Sequence, residues 1–436
     1  MEGRLLLKDC SLFRADGRVR TGMSVLVEGR TITAVGPDSD FPVLPGDWEV
    51  RCAGRLVAPG LIDCDTRLVG GQQVVWSGDY LLRPFAQRLE LDRHHGAKLT
   101  VAEVEALTAF ALASGLRRGV TMFVENLYAP RCVEAALATQ ARVAQRLGAR
   151  LLNAHSSMSG DPVPGPQQVE ANAQYIEAQK GHGLVRGSIG VRASCVAEED
   201  LMRAAGRFKE ELAVGTQFGL AEADDDLAIT WARYGARVVS RFERFGLLGG
   251  ACVGGQARAI DRGEAARLAK TRTLISMSPR VAQTLEGGSA LGMEAVLLSN
   301  NLAGLGTGGT GTLWEEFAAS FSGVMTLCRG GRMLDPDQAM SQFLIAGPAE
   351  LCTMVFGVPS GLIDQGALAD LVVYDYVPAP TTASFTAHLL LQLSQVSVAW
   401  TVVDGRVVVR EGQLVGVDYL ELAAEASKAL QRLGDA

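Results

Sequence analysis

An α/β fold is predicted, a barrel of eight strand–helix units with a small β-sandwich attached, and three observations carry it. Strand-like apolar runs begin near Leu56, Gly119, Arg150, Gly187, Thr216, Gly250, Thr273 and Ala303. Helical patterns fill the gaps between them, with Val104, Leu107 and Ala111 on one face as an example. Strand-rich segments stand at both ends of the chain. Eight such units over ~290 residues match a TIM, or (β/α)8, barrel in number and length. β segments at opposite ends imply one sandwich closed by both termini.

In chain order, residues 5–7, 24–27 and 31–35 read as short strands, punctuated by Asp16-Gly17 and Glu28-Gly29 turns. The clearest helical patterns cover 133–146, 199–212 and 313–328. Beyond the barrel, 371–374 and 401–409 are β-branched runs, the second broken by Asp404-Gly405, a strong two-residue hairpin signal. A helix of mixed charge over 419–433 closes the chain. The expected division is 1–55 for the N-terminal part of the sandwich, 56–354 for the barrel, and 355–436 for the C-terminal part with its helix. No low-complexity linker separates them.

Composition excludes several classes of function. The 436 residues carry 41 Lys+Arg against 48 Asp+Glu, a net charge of −7, so no basic stripe is available for nucleic acid or an anionic membrane. An apolar share of 48% and a mean hydropathy of +0.15 exclude disorder. The uncharged stretches 295–314 and 376–403 contain Asn, Gln and Pro residues that do not suit lipid. Eight dispersed cysteines form no C-x-x-C pair, and the N-terminus has no apolar run of signal-peptide length. A soluble, cytoplasmic protein with reduced thiols is expected.

The segment Gly54-Arg-Leu-Val-Ala-Pro-Gly-Leu-Ile-Asp-Cys-Asp-Thr-Arg-Leu68 resembles the opening signature of the amidohydrolase superfamily, Pro-Gly-Leu-Ile-Asn/Asp-x-His-x-His. Residues 211–224, 246–261 and Gly304-Leu-Gly-Thr-Gly-Gly309 are similar to its fifth, sixth and eighth strands, and 361–375 to its return into the small sandwich. The tail 378–391 looks like that of SsnA-type aminohydrolases, neighbours of guanine deaminase and the chlorohydrolases. The resemblance implies a hydrolase acting on C–N bonds with a metal at the strand ends. Against that pattern, Asp65 and Arg67 stand where the first two ligand histidines belong, Gly219 at the fifth-strand histidine, Gly255 at the sixth-strand ligand, and Gly308 at the eighth-strand aspartate.

Such a metal lowers the pKa of bound water from about 15.7 to near 7 and needs three or four His, Asp or Glu ligands. One carboxylate facing a guanidinium does not supply them. Glu222 matches the proton-shuttling carboxylate of the family's deaminases, and reads either as a remnant or as a partner for Arg67. Asp65 could act as a general base, but proximity to Arg67 predicts a lowered pKa and a salt bridge. His155, after the third strand, is expected to point into the pocket, to bind a small molecule or to be hydrogen-bonded behind it. His94-His95 reads as lid or interface, and residues 79–99 as a candidate contact surface. Gly306–Gly311 could cradle an anion, though the same glycines belong to the strand-eight turn; Cys64 reads as packing.

The resulting expectation is a degenerate, catalytically inactive amidohydrolase-fold protein without metal or cofactor. It would serve as a structural or regulatory subunit, with a homodimer or a hetero-assembly of metabolic enzymes as its partners, plausibly in purine or nitrogen-heterocycle metabolism. Two alternatives stay open. One is a metal-independent hydrolase or small-molecule sensor using Asp65, Arg67, Glu222 and His155. The other is an ordinary metal-dependent aminohydrolase.

Overall fold

Residues 56–63 read as one nearly unbroken apolar run, yet the chain leaves one sheet and enters another inside it. In the computed structural model, which describes residues 4–13, 19–72, 80, 83–286, 291–331, 334–378 and 393–435, strand β5 (Leu56–Pro59) follows β1 (Leu5–Phe13), β2 (Val19–Glu28), β3 (Thr31–Pro37) and β4 (Trp48–Arg51). These five share a nine-stranded sheet with β15 (Leu371–Tyr374), β16 (Val398–Val403), β17 (Arg406–Arg410) and β18 (Gln413–Leu414). Its order is β18-β17-β16-β15-β5-β1-β2-β3, with β4 paired to β1. Both ends of the chain therefore build it.

The first barrel strand is β6 (Leu61–Asp63), not the run from Leu56 that the sequence suggested. Leu371, Val372 and Val373 pair antiparallel with Pro59, Ala58 and Val57, which commits β5 to the other sheet. Gly60 is the crossing point, where a Cβ would lie 2.2 Å from Thr121 Oγ1. Apolar periodicity cannot mark such a break, because both strands are buried.

The remaining strands are β7 (Val120–Leu127), β8 (Arg150–His155), β9 (Val185–Gly187), β10 (Ile189–Ala193), β11 (Thr216–Leu220), β12 (Val253–Gln256), β13 (Leu274–Met277) and β14 (Ala303–Leu305). They run parallel in the orders β6-β7-β8-β9 and β10-β11-β12-β13-β14. Only Ser188 separates β9 from β10, and the Cys64 amide donates to the Leu305 carbonyl at 2.9 Å, joining the end of β14 to that of β6. With β9 and β10 taken as one interrupted strand, the described residues form the eight-stranded barrel that the sequence predicts.

Local chemistry sets the helices. Thr100 with Glu103, Asp261 with Glu264, and Thr312 with Glu315 form reciprocal capping boxes at the starts of Val101–Leu116, Arg262–Thr271 and Leu313–Arg329. The Asp404-Gly405 hairpin has positive φ at both residues, 53° and 75°, the twist that two-residue turns between antiparallel strands prefer. The apolar stretch 336–356 is long enough to cross a membrane, but 56% of its most apolar window is buried inside the fold. The Asp16-Gly17 turn, most of the tail 378–391 and residues 79, 81 and 82 of the candidate contact surface lie outside the described residues.

Candidate active site

The C-terminal ends of the barrel strands open into a pocket with about 70 Å³ for the centres of water-sized molecules. Asp65, Arg67, Asn126, Arg192, Gln217, Gly219, Glu222 and Gly255 are among its lining residues. The loop after β6 is tied down from two sides. Asp63 is buried and accepts from the Thr307 amide at 3.0 Å and its hydroxyl at 2.7 Å, fastening the loop to the strand-eight turn. Burial pushes Asp63 up to about 7, against these hydrogen bonds. Glu125, on β7, accepts from the Leu68 amide at 2.7 Å and the Thr66 hydroxyl at 2.9 Å.

That scaffold presents Asp65 and Arg67. Asp65 Oδ2 accepts from Gln256 Nε2 at 3.0 Å. Arg67 sits at φ 48°, in the left-handed region, and its Nη2 lies 3.3 and 3.4 Å from the two Glu222 carboxylate oxygens. The guanidinium thus reaches across the pocket instead of pairing with Asp65. This corrects the expected pKa: burial raises Asp65 above the usual carboxylate value and outweighs the nearby charge of Arg67. Burial also pushes Glu222 upward, but the charges of Arg192 and Arg67 prevail and hold it below its ordinary value. Two carboxylates in one pocket are therefore driven apart in acidity.

Arg192, at the end of β10, is a pocket residue that the sequence reading did not single out. Its Nη1 bonds Glu222 Oε1, while Nε and Nη2 each lie 3.1 Å from Asp92 Oδ2. Asp92 in turn accepts from the Tyr80 hydroxyl at 2.9 Å. A charged residue inside the apolar run Ile189-Gly-Val-Arg-Ala193 was the available signal. The helix Phe85–Lys98 is drawn over the pocket by this chain of contacts. Tyr80, Phe85 and Leu89 are buried there, so these apolar side chains of the candidate contact surface face inward. His94 and His95 lie on that helix with ring centroids 5.7 Å apart.

His155 does not line the pocket. It is fully buried, its Nε2 accepts from the Ala129 amide at 3.1 Å, and its Nδ1 lies 3.2 Å from Ser157 Oγ. Burial pushes it down to about 3 from 6.5, so it is neutral. The unfolded chain then binds the extra proton, and the stability this gives is present above about pH 6.5 and lost as pH falls toward 3. His155→Gln keeps an acceptor for Ala129 and should flatten the acid limb of a melting-temperature profile. Parallel limbs for the two proteins would count against this assignment.

Cys64 is buried, its thiol pushed up by burial, and it packs as expected. Gly306–Gly311 does not act as an open anion cradle, because the Thr307 amide already serves Asp63 and the Gly308 amide donates to the Asp65 carbonyl at 2.8 Å. The turn also crosses the β6 loop closely. A Cβ on Gly71 would fall 2.1 Å from the Gly309 carbonyl oxygen, whereas on Gly70 the nearest atom is 3.9 Å away. Gly71→Ala should destabilise by about 1–3 kcal/mol through overpacking, with Gly70→Ala near neutral. Equal denaturation midpoints would contradict this.

The residues at the barrel mouth do not fit a divalent cation. A Cβ on Gly219 would lie 2.2 Å from Glu222 Oε1 and 2.4 Å from the Arg192 carbonyl oxygen, so space for a ligand side chain there is already filled. On Gly255 it would lie 3.1 Å from Asp65 Oδ2. Two guanidinium groups stand among the carboxylates, and the described residues contain no group of three or more His, Cys, Asp or Glu able to hold a metal.

Barrel, attached sheet and a pocket at the strand ends define a class of barrel hydrolases: the chain belongs to the amidohydrolase family, which it matches over residues 56–408. It is 25% identical over 433 residues to a 5-methylthioadenosine/S-adenosylhomocysteine deaminase of Symbiobacterium thermophilum, covering 94% of each chain. It is 20% identical over 450 residues to a 5'-deoxyadenosine deaminase of Methanosarcina mazei, covering 98% of each. Among solved structures, a zinc-bound adenosine deaminase from Xanthomonas campestris superposes with a TM-score of 0.84 at 18% identity, over 99% of both chains. These relatives, alike along almost the whole chain, are named as deaminases, which overturns the expectation of an inactive structural or regulatory subunit. That expectation equated loss of metal-ligand side chains with loss of chemistry, whereas the pocket retains a carboxylate of raised basicity beside an ionised one.

Proposed function

We propose that the chain is a cytoplasmic hydrolase that cleaves a C–N bond of a small nitrogen compound from the barrel mouth, with Asp65 as general base and without a transition metal. The observation that carries this reading is Asp65 itself, a pocket-lining carboxylate at the end of the first barrel strand whose pKa is raised. A more basic carboxylate accepts a proton more readily. The likeness to named deaminases and the resemblance to SsnA-type aminohydrolases support a C–N substrate. Eight free cysteines suit a reducing compartment.

Asp65 takes a proton from water as the water oxygen bonds to the substrate carbon. It returns that proton to the departing nitrogen as the C–N bond breaks, so water is consumed, ammonia leaves and a carbonyl remains. Glu222, kept ionised by Arg192 and Arg67, serves as a fixed acceptor for a substrate N–H. An ammonia-release assay on adenosine, 5'-methylthioadenosine, guanine and small ureido and heterocyclic acids tests the reading. Turnover of any of them that is lost in Asp65→Asn supports it; no ammonia from any, or full turnover in the variant, overturns it.

A further inference from the structure

Gln256 ends β12 at φ 75°, in the left-handed region, directly after Gly254 and Gly255. A side chain kept where the backbone favours glycine points to a function that offsets the strain. Gln256 is buried, and its Nε2 donates twice, to Asp65 Oδ2 at 3.0 Å and to Ser278 Oγ at 3.1 Å. The Ser278 hydroxyl in turn donates to the Gly306 carbonyl of the strand-eight turn. That turn also seats Asp65, because a Cβ on Gly306 would lie 2.6 Å from Asp65 Cβ and the Gly308 amide donates to the Asp65 carbonyl at 2.8 Å. A closed circuit of contacts therefore runs from the first barrel strand through the sixth and seventh to the eighth.

The neighbours of the Gln256 amide dictate its orientation. A carboxylate only accepts, and Ser278, whose one proton is committed to Gly306, can only accept as well. The NH2 end satisfies both, so the turned-over amide, with Oε1 between two acceptors, is excluded. Among the described residues the Asp65 carboxylate accepts through Oδ2 alone, which leaves Oδ1 for the proton of water. We propose that Gln256, oriented by Ser278, is a positioning residue for Asp65, fixing the carboxylate through Oδ2 and keeping Oδ1 as the accepting oxygen. This deepens the hydrolase reading and rests on it for Asp65 as the base. An N–H aimed at a carboxylate favours the ionised form. Here it acts with the charges of Arg67 and Arg192, against burial and the carboxylates of Glu222, Asp63 and Glu125, and beside the buried Cys64 thiol.

The test is a titration of the full chain labelled with 13C at its aspartate carboxyl carbons, in which the resonance missing from Asp65→Asn is that of Asp65. Gln256→Met keeps the side-chain length, removes both N–H groups and should raise the Asp65 midpoint by about one pH unit. Ser278→Ala, which frees the amide, should raise it by less. Gln145→Met, at an exposed helix position, should leave it in place. On any compound that the ammonia assay finds turned over, the acid limb of kcat should move with the midpoint in Gln256→Met, whereas a merely structural role would lower the rate and leave the limb where it was. A midpoint that stays or falls in either Gln256→Met or Ser278→Ala overturns the inference. If Gln256→Met does not fold, as judged by circular dichroism, the midpoint of Ser278→Ala decides. Because the midpoint is read without turnover, failure here is distinct from failure of the ammonia assay.

Discussion

Replacing Asp65 by Asn should lower turnover by about 10²–10⁴-fold, the range expected for loss of a positioned general base. The substitution keeps the volume and leaves an oxygen to accept from Gln256, so the fold and substrate affinity should change little while kcat collapses. The pH profile gives an independent signature. A base must be ionised, so the rate rises with pH through the pKa of Asp65, and burial places that limb above the ordinary carboxylate value of 3.8. Glu222, held below its ordinary value, stays ionised across the same range. Asp65→Asn should therefore lose the limb along with the rate. A variant that kept both would show that another group takes the proton.

Arg150→Met should be the most destabilising single change, at about 3–5 kcal/mol, because it strands buried negative charge. Arg150 is fully buried on β8, bonds Asp370 through Nε at 2.8 Å and Nη2 at 2.9 Å, and reaches Asp404 at 3.0 Å. Its guanidinium also lies 4.8 Å from the Phe356 ring centroid. Asp370 precedes β15 and Asp404 turns β16 into β17, so one side chain holds the barrel to the nine-stranded sheet. Adding Asp370→Leu to Arg150→Met should recover part of the loss, since removing both partners leaves fewer buried charges unpaired. Chemical denaturation measures both. A loss below about 1 kcal/mol for the single variant would show that the remaining acids are solvated or neutralised without Arg150.

The alternation of strands and helices was legible because parallel strands buried on both faces read as apolar runs, separated by segments of helical periodicity. The passage from β5 to β6 was not, since nothing polar marks the change of sheet at Gly60. Asp65, Arg67 and Glu222 were legible by position, at the ends of the first and fifth barrel strands. The sequence offered either Asp65 or Glu222 as the partner of Arg67, and the left-handed backbone at Arg67 accompanies a guanidinium directed at Glu222, 155 residues away. The Arg192–Asp92 contact joins residues 100 apart with no spacing pattern between them. For His155 the sequence left ligand binding and a hydrogen-bonded place behind the pocket both open; its backbone and hydroxyl partners occupy both ring nitrogens, which is the second.

Hydrolysis driven by Asp65, in a pocket where guanidinium groups stand among the carboxylates, should need no metal. Its most direct test is ammonia release by chelator-treated protein, with metal content measured on the same sample and the assay repeated after adding zinc. Turnover should be undiminished with far less than one equivalent of metal, and zinc should give no gain. Turnover that disappears on chelation and returns with one equivalent of zinc would contradict it.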